Sequence, residues 1–207
     1  MTKTTKIIAC LLALLFLAGT AVAQKISLGL GAQYWNGKDL DYFDGNGMWG
    51  ANFIARFAPL QYLGIDLRTG AMGVWDGESY RFEGEKYETD VVFTCLPFEA
   101  GIVLMLPLSD KVTFYGGPGI GYYYYDLDIK TSSKHHHHYH SEHTEHIKLE
   151  DDVGWYAVAG MTIKISRHFS IFGEGRYTDS ETSVKHHKSE KIDCSGVGGQ
   201  VGVMFDF

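Results

Sequence analysis

The sequence predicts an all-β fold: an eight-stranded antiparallel up-and-down transmembrane β-barrel, preceded by a cleaved signal peptide. Three observations predict it. An alternation of apolar and polar residues recurs eight times from Gln24 onward with no helical period between copies, the connections alternate between long and short, and the polar parity is rich in glycine. Period two gives each strand two unlike faces. Eight such strands with no helix to cover them remove their edges by closing into a ring.

Residues 1–23 read as an export signal. Lys3 and Lys6 form a basic start, Ile7 to Leu17 an apolar run, and Ala21-Val22-Ala23 a small-x-small cleavage site. The run is short for a spanning helix of about 20 apolar residues. Almost no apolar segment precedes Cys10, which argues against lipidation there. The mature domain is then 24–207.

The first strand, Ile26 to Trp35, sets Ile26, Leu28, Leu30, Ala32 and Tyr34 against Ser27, Gly29, Gly31 and Gln33. A polar loop through Gly47 leads to the second, Met48 to Phe57, with Trp49, Ala51, Phe53, Ala55 and Phe57 opposing Asn52, Ile54 and Arg56. After a tight turn, the third sets Leu63, Ile65, Leu67 and Ala71 against Gly64, Asp66, Arg68 and Gly70. A second long loop is expected from Met72 to Glu88.

The fourth strand, Thr89 to Leu106, sets Phe98, Ala100, Ile102 and Leu104 against Glu99 and Gly101. Pro97 within it suggests a bulge. The fifth, Val112 to Lys130, sets Phe114, Pro118, Ile120, Tyr122 and Tyr124 against Tyr115, Gly117, Gly119 and Gly121. A third loop, Thr131 to Asp152, precedes the sixth strand, Val153 to Ser166, where Trp155, Ala157 and Met161 oppose Tyr156, Gly160 and Lys164. A turn at Arg167-His168 starts the seventh, with Phe169, Ile171 and Tyr177 against Ser170, Glu174 and Arg176. A fourth loop, Ser180 to Asp193, leads to the eighth, where Val197, Val201, Val203, Phe205 and Phe207 oppose Gly198, Gln200, Gly202 and Asp206. Long loops thus gather at one rim and short turns at the other, the asymmetry of an outer-membrane barrel.

Parity alone does not say which face is outside. Glycine on a water-exposed strand face loses β-propensity, whereas a narrow eight-stranded interior needs small side chains beside large ones. The charges of the glycine face can also pair, with Arg56, Arg68, Lys164 and Arg176 set against Asp66, Glu99 and Glu174. Enclosed charges require such partners. Aromatics gather at both ends of the apolar stripe: Trp49, Tyr122, Tyr124 and Trp155 near the long loops, and Phe57, Phe114, Phe169, Phe205 and Phe207 near the short turns. Two aromatic levels are the interfacial girdles of a membrane barrel. The apolar face is therefore expected to point outward into lipid.

With these residues in place, the chain resembles small outer-membrane β-barrel proteins of the OmpA/OmpX-like superfamily. The resemblance rests on the signal, the eight strands, the segment Tyr115-Gly-Gly-Pro-Gly-Ile-Gly-Tyr-Tyr123 and the terminal alternation ending in Phe207. It implies location in the cell outer membrane and contact with outer-membrane lipid and lipopolysaccharide. It also implies recognition by the barrel assembly machinery through the terminal Phe207. The superfamily identifies architecture far better than activity.

Formal charge is −7, becoming −9 once Lys3 and Lys6 leave, which argues against nucleic acid as a partner. Cys95 and Cys194 fall on the fourth and eighth strands, opposite sides of the ring, and are expected to stay free because a disulfide needs Cα atoms within about 7 Å.

The most unusual local feature is a histidine stretch in the third loop: His135, His136, His137, His138, His140, His143 and His146, with Glu142 and Glu145 among them. His186 and His187 lie in the fourth loop. Neutral imidazole suits Zn, Ni or Cu, so this loop is the candidate metal site; no cofactor is required for the fold itself. The other reading is a solvated loop tip open to insertion. An extracellular protein or metal is the expected partner.

Two alternatives compete with a structural or surface-interaction role. A narrow transport barrel is disfavoured because Arg56, Arg68, Arg176, Tyr115 and Tyr156 fill the lumen. A lipid A-modifying enzyme would use His168, Ser170 and Glu174, but all three share the inward parity, away from an acyl ester in lipid. No catalytic residue is assigned.

Overall fold

The computed structural model describes residues 25–42, 47–82, 85–134, 140–184 and 187–207. Eleven strands form among them: β1 (Lys25–Gly37), β2 (Met48–Leu60), β3 (Leu63–Phe82), β4 (Glu85–Pro107), β5 (Val112–Lys134), β6 (His140–Lys148), β7 (Asp152–Lys164), β8 (Phe169–Asp179), β9 (Glu181–Val184), β10 (His187–Asp193) and β11 (Gly196–Asp206). Eight of them close a ring in the order β1-β2-β3-β4-β5-β7-β8-β11, every pair antiparallel. The closing pair is β1 with β11, in unbroken register from Ser27↔Asp206 to Gly37↔Gly196. Every ring strand therefore has two neighbours, and the ring itself has no open edge among the described residues.

The outward face is apolar, as the glycine argument requires. Leu30 is 61% exposed and Val201 66%, while Asp66 is fully buried. The expected aromatic levels are outside as well: Trp49, Tyr122, Tyr124 and Trp155 at one rim, Phe114, Phe169, Phe205 and Phe207 toward the other. Trp155 donates Nε1 to Asp179, and Tyr122 donates its hydroxyl to Asp151. Each ring thus presents an apolar body and a wet tip, which suits an interface.

The strands are longer than the sequence suggests. A tilted membrane strand needs about 9–11 residues, yet β3 has 20 and β4 and β5 have 23 each. The expected loop from Met72 to Glu88 is instead a β-hairpin, paired from Met72↔Cys95 to Phe82↔Glu85. The expected loop from Thr131 to Asp152 contains β6, an added strand on β5. The fourth connection folds into the β9–β10 hairpin. These are corrections with one cause: beyond the membrane the outer face is wet as well, so the outward half of the period-two signal fades while backbone pairing continues.

Pro97 was expected to mark a bulge and does not. The β4–β5 register runs through it, as Pro97↔Tyr123, and the β3–β4 register is the same on both of its sides. The missing amide costs ladder pairing at that point on the β3 side without inserting a residue. The register shift instead lies between Phe57 and Leu60, beside the short turn into β3.

Candidate functional site

Inside the ring, the polar parity builds an ion-pair network. Arg56 grips Asp66 with two hydrogen bonds, Nε to Oδ1 at 2.7 Å and Nη2 to Oδ2 at 2.8 Å. The two residues are direct cross-strand partners on β2 and β3. Arg68 donates to Asp66 at 2.8 Å and reaches across the lumen to Glu174, with Nη2 to Oε2 at 3.1 Å and a second contact from Nη1 to Oε1. The Tyr115 hydroxyl donates to Glu174 at 2.8 Å, and its ring lies 4.0 Å from the Arg56 guanidinium carbon. A second group joins Arg176 to Glu99 and Thr178, with the Tyr123 hydroxyl donating to Glu99 at 3.0 Å.

Three arginines thus meet three carboxylates, all buried. The pairing expected from sequence is realised, except that Lys164 lies outside the network among the described residues. Asp206 forms a separate cluster near the short-turn rim, accepting from Ser27 at 2.6 Å and pairing with Lys25 at 2.9 Å.

Above this network the lumen is closed by an apolar cluster that the sequence reading missed. Trp35, Leu40, Met48, Met72, Phe93, Cys95, Tyr123, Tyr125, Leu149 and Cys194 pack together at the long-hairpin end. The inward parity of Phe93, Cys95 and Tyr125 carries the signal for it. Tyr125 shares a hydrogen bond with Ser180 at 2.9 Å, linking β5 to the segment after β8. Cys95 and Cys194 are free, as expected. The expected separation is corrected, however: Cys194 lies between β10 and β11, just before the last ring strand, and its side chain joins that of Cys95 in this one cluster across the narrow ring.

The enzymatic set does not assemble. Ser170 is buried and donates to Asp206 at 3.3 Å, and Glu174 belongs to the arginine network. His168 was expected to point inward, but it is exposed in the turn before β8, where strand parity does not hold. Its ring stacks on the outward Phe205 at 6.1 Å between centroids, and Nδ1 lies 3.0 Å from the Asp206 carbonyl oxygen.

The histidine stretch is divided. His135, His136, His137 and His138 lie outside the described residues. His140, His143 and His146 fall on β6, in register with Lys134, Thr131 and Asp128 of β5. His146 Nδ1 contacts Asp128 Oδ1. Asp126 joins them, and one donor atom from each of the three residues lies within 4.8 Å of the others. The two aspartates were not singled out from sequence, although Asp126-Leu127-Asp128 already places two carboxylates on one face of a strand.

At the same rim, Lys38 and Asp193 form an exposed pair at 2.9 Å between the short 3-10 helix Lys38–Tyr42 and β10. The Ser195 amide also donates to Asp193, at 2.9 Å. Hydrogen bonds from Ser195 and Lys38 hold the Asp193 carboxyl below its ordinary range, and Asp193 raises Lys38 above its own.

A family model described as the outer membrane protein beta-barrel domain matches residues 7–206. Solved structures that share the fold include two outer-membrane proteins. One is Ail, the attachment invasion locus protein of Yersinia pestis, solved in complex with the heparin analogue sucrose octasulfate; it is 16% identical, with a TM-score of 0.52 over 90% of this chain and 100% of that one. The other is the outer membrane protein OprG from Pseudomonas aeruginosa, 13% identical, with a TM-score of 0.57 over 89% of this chain and 96% of that one. No curated protein matches the sequence.

Proposed function

The chain belongs to the outer membrane protein β-barrel domain family, and on that premise we propose that its barrel is a sealed anchor whose work is done by the hairpins beyond the membrane. It is an integral protein of the cell outer membrane. The single observation that carries the proposal is the contrast between its two parts. The lumen is occupied by paired charges under an apolar cap, while β3, β4, β5 and β6 continue as a paired wall past the Trp49, Tyr122 and Trp155 level.

A closed interior gives little path for solute, and a projecting wall offers pairing edges, carboxylates and imidazoles to whatever lies outside. We assign the histidine-bearing β5–β6 hairpin to capture of a transition metal or contact with an extracellular partner. Outer-membrane lipid and lipopolysaccharide surround the barrel, and Phe207 serves the assembly machinery.

The test has two arms. Protease or epitope access to segment 131–152 on intact cells is expected, together with heat-modifiable gel migration of the membrane fraction. Planar-bilayer recordings should show no large, steady conductance. A shielded hairpin would remove the interaction role, and a steady open pore would favour the transport reading.

A further inference from the structure

We propose that Asp126, Asp128 and His146 form a binding site for one divalent transition-metal ion of the Zn(II) class, on the outer face of the β5–β6 hairpin. This deepens the metal-capture reading of that hairpin by naming a fixed site within it. Asp126 and Asp128 are two residues apart on β5 and share a face. The register sets His146 directly opposite Asp128. That face continues the exposed parity of Tyr122 and Tyr124, so the site stands just above the outer aromatic level.

Three donors of two kinds, two carboxylates and an imidazole, converge within 4.8 Å. Zinc bonds of about 2.0–2.2 Å to nitrogen and oxygen set two ligand atoms further apart than His146 Nδ1 and Asp128 Oδ1 now stand, so the exposed His146 ring rotates away from the carboxylate to admit the ion. Three protein ligands leave the fourth tetrahedral position for water or an outside ligand.

The second observation concerns Asp128 Oδ1. This oxygen is buried and accepts no hydrogen bond, although His146 Nδ1 lies against it. The contact has the proximity of an ion pair without hydrogen-bond geometry. A buried acceptor left without a donor is costly, and a cation shared by Oδ1 and Nδ1 supplies what the pair lacks. Carboxylate with imidazole suits Zn(II), with Ni(II) close behind, better than it suits Mg(II) or Ca(II).

The experiment titrates ZnCl2 into the purified full-length protein in detergent, with Co(II) absorption as a second reading of nitrogen and oxygen ligation. The decisive background changes His135, His136, His137, His138, His140 and His143 all to Gln, leaving the three proposed ligands. That protein should retain one equivalent of Zn(II) at micromolar affinity. Within it, Asp126→Asn, Asp128→Asn and His146→Gln should each weaken binding at least tenfold, with heat-modifiable migration unchanged as the check on folding. Loss of all binding in the background, with wild type still binding, overturns this site but leaves metal capture by the histidine stretch. Failure of wild type to bind sinks both. Binding unaffected by the Asn and Gln substitutions assigns the metal elsewhere and also overturns the proposal.

Discussion

Arg68 on β3 and Glu174 on β8 meet across the lumen, 106 residues apart in sequence, with Nη2 3.1 Å from Oε2 and a second guanidinium contact beside it. Both side chains are almost wholly shielded from solvent. Arg68 also donates to Asp66, so it ties two carboxylates on different walls. The barrel is cross-braced through its own interior.

Removing one partner of this brace leaves the other charge buried and uncompensated. Arg68→Ala is expected to cost about 3–5 kcal/mol, and Glu174→Gln to fall toward the low end of that range because it keeps an acceptor. The double change Arg68→Met with Glu174→Leu removes both charges together and should cost less than Arg68→Ala alone. Urea unfolding of the reconstituted barrel, followed by gel mobility without heating, measures all three. A double variant no more stable than Arg68→Ala would mean that the pair is not the unit of stabilisation.

Glycine on the inner face is explained by crowding, and one inward position set against one outward position separates that cause from backbone preference. A Cβ on Gly119 would lie 2.3 Å from Tyr156 Cζ, inside the ring itself, whereas a Cβ on Gly175 would meet nothing within 4 Å. Gly119→Ala should therefore destabilise by about 1–3 kcal/mol, as overpacking does, and Tyr156→Leu should recover part of the loss. Gly175→Ala should be neutral or slightly stabilising, because Gly is a poor strand former. Equal penalties at the two sites would point to backbone demands instead of space.

Cys95 and Cys194 share the apolar cap with Tyr125, and both are fully buried. Burial pushes the Cys194 thiol up to about 12, so the reactive thiolate is scarce at neutral pH. Neither thiol should react with a maleimide in the folded barrel at pH 7, and both should react after unfolding in hot detergent. Prompt labelling of either cysteine in the folded protein would show that the cap opens.

The membrane-embedded half of the molecule was legible because lipid imposes a two-faced strand. The alternation of Leu28, Leu30 and Ala32 with Gly29, Gly31 and Gln33 states its orientation once glycine is read as lumen packing. What was lost lies where that constraint ends. Thr131, Ser132 and Ser133 read as loop, yet they pair with His143, Glu142 and Ser141, since a strand with two wet faces needs no apolar parity. His168 was misplaced for the same reason, because its turn has no parity to extrapolate. The nearness of Cys95 and Cys194 depends on ring width, which strand counting does not supply. Attention to histidine density obscured Asp126 and Asp128, whose partnership with His146 exists only in the cross-strand register.

The Lys38–Asp193 pair at the long-hairpin rim sets a pH window. Asp193 has its folded pKa lowered, so its contribution is present above the unfolded value near 4 and is lost as pH falls through the lower folded value. Lys38 has its folded pKa raised, so its contribution is present below the unfolded value near 10.5 and is lost as pH rises through the higher folded one. Both partners are charged between roughly pH 4 and 10. Their effect is local, tying the helix after β1 to the end of β10, and exposure to solvent keeps it small. Lys38→Ala should raise the Asp193 carboxyl midpoint toward its ordinary value when followed by NMR. Ser195→Pro, which removes the amide donor, should raise it as well. A midpoint unmoved by Lys38→Ala would mean that Ser195 alone holds the carboxylate and that the ion pair adds nothing to it.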